Sequence, residues 1–211
     1  MRLFSRKPKT QHKLSEEDRK SEKEIRQELE NKNFAKATQL ALSYMETCKS
    51  PFAEANFNYL AAHVLVKQYG AKLPTDRSDL PLPEYNQARK HLNRTLEIYQ
   101  SMEKDATIEL LMATTYAQMA SLAQIAGKPE DGFKDCQEAL RIYQKYGLTG
   151  PIRQAQKTMY FLRLRKLTNE IQDKIRFFDE NNPAKDGLKG DPQLKALIEE
   201  LQKLRKEAAS L

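Results

Sequence analysis

Tryptophan is absent from this 211-residue chain, cysteine occurs twice and histidine three times. Cys48 and Cys136 share no CxxC spacing, and His63 and His91 fall inside helical patterns, so neither a disulfide framework nor a metal site is expected. Seven glycines and nine prolines are few for this length, and no alternating run of β-branched residues occurs; both point away from β-structure. No window of about 18 apolar residues exists, so no helix is expected to cross a membrane. The opening MRLFSRKPKTQHK is basic but lacks the apolar stretch of a secretory leader, and a cytoplasmic location is the expectation. A P-loop, a GxGxxG turn and a nucleophile–base arrangement are all missing. The acidic pairs Glu16/Glu17 and Glu199/Glu200 read as solvated helix faces. Catalytic residues, a metal and a cofactor are therefore not expected, and the chain is not read as an enzyme.

What the chain does contain is helix-forming sequence rich in Ala, Leu, Gln, Glu and Lys. Its net charge of +7 is unevenly spread. Met1 to Lys13 holds five basic residues and no acid, and Arg153 to Arg176 holds seven basic residues against two acidic ones. Residues 1–14 read as a disordered basic tail. Ser15 followed by Glu16, Glu17 and Asp18 is a helix start, with a hydroxyl cap and acids in the first turn. Apolar spacing then predicts helices over Phe34–Cys48, Phe52–Tyr69, Glu84–Glu103, Thr107–Ala126, Asp131–Tyr146 and Pro151–Asp179. Ala71 to Pro83, with three prolines, reads as an inserted loop, and residues 181–190 as a polar linker. Asp191-Pro192 opens a last helix over 192–208, with Leu194, Leu197, Ile198, Leu201 and Leu204 on one stripe.

Two segments are near-copies. ARKHLNRTLEIYQ (88–100) and GFKDCQEALRIYQ (132–144) align without gaps at a spacing of 44 residues. They match at Leu96/Leu140, Ile98/Ile142, Tyr99/Tyr143 and Gln100/Gln144. Helical segments recurring at such a period mark stacked helical hairpins. Gly127 to Leu140 places a glycine after one helix, the small Gly132 at the start of the next, and Ala139-Leu140 on its inner face. Upstream, Tyr116, Met119, Ala120 and Ala123 alternate large, apolar and small. This pattern resembles the tetratricopeptide repeat (TPR) family, in its longer-repeat variant. Tyr59, Ala62, His63 and Val66 fit the same register, with His63 in a slot the family fills with a small residue. The resemblance implies an all-α, TPR-like α-solenoid of about three hairpins over residues 15–150, capped by a basic helix over 151–180. It also implies protein–protein interaction as scaffold or adaptor.

By the same resemblance, the first helix of each hairpin lines a groove for a partner helix or extended peptide. The implied groove residues are Phe57, Leu60, Val64 and Lys67 on one helix and Thr114, Gln118, Ser121 and Gln124 on another. The alternative for Phe57, Leu60 and Val64 is plain core. Ala61 and Gln118 stand where some TPR domains carry a basic carboxylate clamp, so a receptor for a C-terminal carboxylate is disfavoured. A second expectation comes from charge. Arg153, Lys157, Arg163, Arg165 and Lys166 lie among Tyr160, Phe161 and Leu164, and with the basic tail they could dock on RNA or an anionic membrane surface. The competing reading has Met159, Leu162 and Leu167 facing the core with the cations solvated. The stripe of the last helix must be covered by this chain or by a partner.

Overall fold

The computed structural model describes residues 12–70, 82–181 and 191–208. Among them are eight helices and no strand: α1 (Glu16–Glu30), α2 (Phe34–Thr47), α3 (Pro51–Gly70), α4 (Leu82–Ser101), α5 (Ala106–Ile125), α6 (Pro129–Lys145), α7 (Thr149–Asn181) and α8 (Pro192–Ala208). The protein is all-α, as its composition and periodicity require. Most of the basic tail, the loop from 71 and the linker from 182 lie outside the described residues. No described helix is long and apolar enough to cross a membrane.

Helix starts follow local chemistry. Ser15 Oγ accepts from Asp18 N at 3.0 Å and Asp18 Oδ2 accepts from Ser15 N at 3.3 Å, a complete capping box. Ser50 Oγ accepts from Ala53 N, Asp105 Oδ1 from Ile108 N, and Asp191 Oδ1 from both Gln193 N and Leu194 N. Helix ends repeat a single device. Lys32, Gly127 and Gly147 have φ of 60°, 66° and 64°. Each is followed by an amide that donates five residues back: Asn33 N to Glu28 O, Lys128 N to Ala123 O and Leu148 N to Tyr143 O, at 2.8, 2.9 and 3.1 Å. These are left-handed helix stops that satisfy the last carbonyls and turn the chain.

Three starts precede the expected ones by two residues. α4 begins at Leu82, inside the stretch to Pro83 read as a loop, α6 at Pro129, and α7 at Thr149, ahead of Pro151. The first turn of a helix has no intrahelical acceptor for its amides, so proline fits there without loss.

The described chain forms two compact units. Of the described residues, the first takes 12–70 and 86–115, the second 82–85, 116–181 and 191–208. In the first, α1 packs on α2 and α3, and α2 on α3. Its core joins Ile25, Ala37, Ala41, Ala53, Phe57, Leu60, Ala61 and Val64, with Leu29, Leu40 and Met45 against it. The alanines let the helix backbones approach closely around the few large side chains. α4 is tied to α3 within this unit. Buried Thr95 places its hydroxyl 3.2 Å from Ala55 O, His91 Nδ1 lies 2.9 Å from Asn58 Oδ1, and Arg94 pairs with Glu54 at 2.8 Å.

In the second unit, α6 packs on α7 and α7 on α8. Gly132 marks a point of close approach. A Cβ added there would lie 2.8 Å from Leu162 Cδ2 and 3.0 Å from Ala123 Cβ. Tyr85 Oη donates to Asp131 Oδ2 at 2.6 Å, and the Lys128 ammonium sits 5.3 Å from the centre of the Tyr85 ring. This arrangement clips the start of α4 to the start of α6.

Candidate protein-interaction surface

The groove expected on α3 is corrected by burial. Phe57, Leu60 and Val64 are at most 1% exposed and sit inside the core of the first unit. α3 is apolar on nearly all sides, so it packs all round and has no apolar face left for a partner. Lys67 is exposed on the same helix. On α5, Thr114 is exposed, while Gln118, Ser121 and Gln124 are half-buried. The Thr114 and Ser121 hydroxyls donate back to Leu110 O and Ala117 O at 2.9 and 3.0 Å, so their hydrogens are already used within the helix.

The five basic residues expected as one set do not behave alike. Arg153, Lys157 and Arg163 are exposed, and Arg165 and Lys166 are half-buried. Lys166 Nζ pairs with Glu130 at 2.8 Å and lies 3.9 Å from Glu170. The hydrogen bond to Glu130 is the largest cause holding its pKa above the ordinary lysine value. Lys166 therefore fastens α7 to α6 and is withdrawn from the anion-binding set. Met159 is half-buried and Leu162 and Leu167 are buried, which agrees with the core-facing reading of those three.

α8 is covered in cis, by α7. Leu194 and Leu204 are each 7% exposed, Leu197 and Leu201 are half-buried, and Ile198 is exposed. Lys174 Nζ reaches Asp191 at 3.6 Å beside the α8 cap. The fit leaves two crevices. One of about 510 Å³ lies between Glu170, Asp173 and Lys174 on α7 and Ala196, Leu197 and Glu200 on α8. The other, about 310 Å³, lies between Met159, Tyr160 and Arg163 and the far end of α8 at Leu204.

The first unit holds a further cavity of about 500 Å³, bordered by Asp18, Tyr44, Cys48, Lys49 and Phe57. Its groups are poorly suited to covalent chemistry. Cys48 Sγ faces Met45 O at 3.3 Å, and burial, with Glu54 and Asp18 nearby, raises its pKa. Tyr44 Oη donates to Glu24 at 2.6 Å, which raises the phenol pKa. In the second unit, burial pushes the Cys136 thiol up to about 11. Both thiols are therefore protonated near neutral pH, the state that is a poor nucleophile. No group of three His, Cys, Asp or Glu side chains able to hold a metal occurs among the described residues.

Sequence reasoning missed one surface. On α7, Phe161 is 46% and Ile175 38% exposed. Leu164, Thr168 and Ile171, half-buried, fall between them on the same face. The signal was present as apolar residues three and four apart, but the cations between them drew the reading toward phosphate contact.

No family model matches this chain, and no curated protein and no solved structure matches it significantly.

Proposed function

We propose that this chain is a non-enzymatic protein-interaction module: a cytoplasmic scaffold or adaptor built on TPR-like helical hairpins. The observation that carries the reading is the exposed apolar surface of α7. Phe161 and Ile175, with Phe177 exposed near the C-terminal end, lie on a well-formed helix that also packs on α6 and α8. Large apolar side chains grouped on one helix face, rimmed by charge, are typical of protein contact surfaces. The engaged hydroxyls of α5 and the buried residues of α3 shift the partner surface from the groove positions to α7.

The test is affinity capture with the full chain and with Phe161→Asp, at low and at moderate ionic strength. A partner retained by the wild type at both salts and lost by the variant supports the reading. Identical capture by both proteins overturns it. A second reading is docking on RNA or another anionic surface. It draws on Arg153, Lys157, Arg163 and Arg176, which are exposed and form no ion pair with a described residue. That reading requires binding that falls steeply with salt and is abolished by nuclease or by removal of anionic lipid.

A further inference from the structure

We infer that the exposed face of α7 is a docking seam for one acidic amphipathic helix; this inference rests on the protein-interaction reading above and specifies its partner. Phe161, Leu164, Thr168, Ile171 and Ile175 follow one another at intervals of three, four, three and four residues. That is the spacing by which one helix presents a continuous seam to another helix lying alongside it. From Phe161 to Ile175 the seam is about 21 Å long at 1.5 Å per residue, enough for about four turns of a partner. Thr168 interrupts the apolar series in name only. Its hydroxyl donates to Leu164 O at 2.9 Å, which leaves the methyl group as the part it can offer to a partner.

α6 and α8 occupy other sides of α7. Ala155 and Leu162 are buried at α6, where Leu162 lies against Gly132. Leu167 is buried, and Lys174 meets the start of α8. The seam lies on neither side.

Charge chooses the occupant. Lys157 stands one turn before Phe161 and Arg176 next to Ile175, and both are exposed. The acids of this stretch, Glu170 and Asp173, line the crevice against α8 on another side of the helix. The seam is therefore apolar with positive borders and no acid along it. A basic helix would be repelled, a neutral one would leave the cations uncompensated, and a helix with acidic flanks would match them. α8 itself does not qualify, because its flanks mix Lys195, Lys203 and Arg205 with Glu199 and Glu200.

The probe is a labelled synthetic helix of about 18 residues, long enough to cover the seam. It carries leucines at heptad spacing and glutamates on both flanks. Two comparison peptides have lysine flanks, or the acidic flanks with serines replacing the leucines. Fluorescence anisotropy with the full chain measures binding. The acidic peptide is expected to bind at least about tenfold more tightly than the lysine version, and more weakly as salt rises. The serine version should not bind. Phe161→Asp and Ile175→Asp each lower affinity about tenfold or more, because each replaces an apolar anchor of the seam with a charge that repels acidic flanks. The pair Lys157→Glu with Arg176→Glu reverses the preference toward the lysine peptide. Ile198→Asp, an exposed apolar site on α8, leaves binding unchanged and serves as the control.

All four substituted α7 positions are exposed, and circular dichroism verifies that the variants fold. Equal affinity for the acidic and lysine peptides, or binding indifferent to Phe161→Asp, overturns the inference. So does absence of saturable binding. If the peptides fail while Phe161→Asp still abolishes capture of a cellular partner, the inference falls and the general reading stands.

Discussion

Gly132 is the residue whose replacement most directly tests the packing of the second unit. Adding one methyl group, Gly132→Ala, has two opposed effects. Alanine is better than glycine inside a helix by about 0.8–1 kcal/mol. Against this, the new Cβ would stand 2.8 and 3.0 Å from the two terminal carbons of Leu162 and 3.0 Å from Ala123 Cβ. Leu162 and Ala123 are fully buried. Leu162 has little room to change rotamer, and Ala123 has no rotamer to change, so helix backbones must separate. Overpacking of that kind costs about 1–3 kcal/mol. The net expectation is a loss of about 1 kcal/mol, seen as a fall in Tm of about 2–4 °C for a chain of this size.

Gly150→Ala is the paired control. It lies in the first turn of α7, where nothing beyond its chain neighbours comes within 4 Å of the added Cβ, but Pro151 disfavours a helical residue with a Cβ just before it, so propensity gain and local crowding roughly offset. Urea unfolding followed by circular dichroism should show a loss of about 1 kcal/mol for Gly132→Ala and little change for Gly150→Ala. A double-mutant cycle sharpens the cause. Leu162→Ala alone costs about 2–5 kcal/mol as a cavity in the core. Combined with Gly132→Ala it should cost less than the sum, because the crowding is relieved. If Gly132→Ala stabilises the fold, or if the cycle is additive, the close approach of α5, α6 and α7 at Gly132 is refuted.

Other perturbations have defined signs. Lys32 holds a left-handed conformation that costs a side-chain residue about 1–2 kcal/mol. Lys32→Gly should therefore raise stability by up to about 1 kcal/mol, whereas Gly147→Ala, with φ of 64°, should lower it by a similar amount. His91 is kept below the ordinary histidine pKa, first by burial and then by the adjacent Lys90. The unfolded chain binds this proton more readily than the folded one, so the stability tied to neutral His91 is complete above its unfolded pKa. It is lost as pH falls through about 6.5 toward the lower folded value. His91→Gln should flatten thermal unfolding profiles across that window. With Ellman's reagent at mild alkaline pH, half-buried Cys48 should react before Cys136, whose thiol is 1% exposed and should react only on unfolding. Leu204→Ala removes most of the buried anchor at the end of α8; hydrogen exchange should accelerate over 192–208 while the first unit keeps its protection.

Local signals carried much of the fold. Ser15 with Asp18 announced the start of α1, because a capping box needs only residues three apart. Gly127 announced a helix end, because a left-handed stop favours glycine, and Gly147 makes the same stop. Lys32 makes the same stop without glycine, and nothing in its side chain advertises it. The near-copies at 88–100 and 132–144 marked two helices that fall in α4 and α6. The start of α7 was expected at Pro151, two residues late, although a first turn accepts Gly150 and Pro151.

The candidate surface was harder to read, for a physical reason visible in α3 and α7. Periodicity assigns a buried face only when one side of a helix is polar. α3 carries Phe57, Leu60, Ala61 and Val64 with so few polar residues between them that the sequence cannot separate core from groove. Burial does so, and puts all four inside. α7 has the opposite ambiguity, with apolar residues on more than one face and cations between them. Leu162 and Leu167 belong to the interior, while Phe161 and Ile175, equally apolar, do not. Lys166 is engaged with Glu130, while Arg153 and Arg163, equally basic, are exposed. Only the positions of α6 and α8 sort these residues, because each neighbour claims one side of the helix. What they leave unclaimed is a seven-residue repeat bordered by positive charge. The side chains that could select a partner on α7 are therefore those that its own packing does not use.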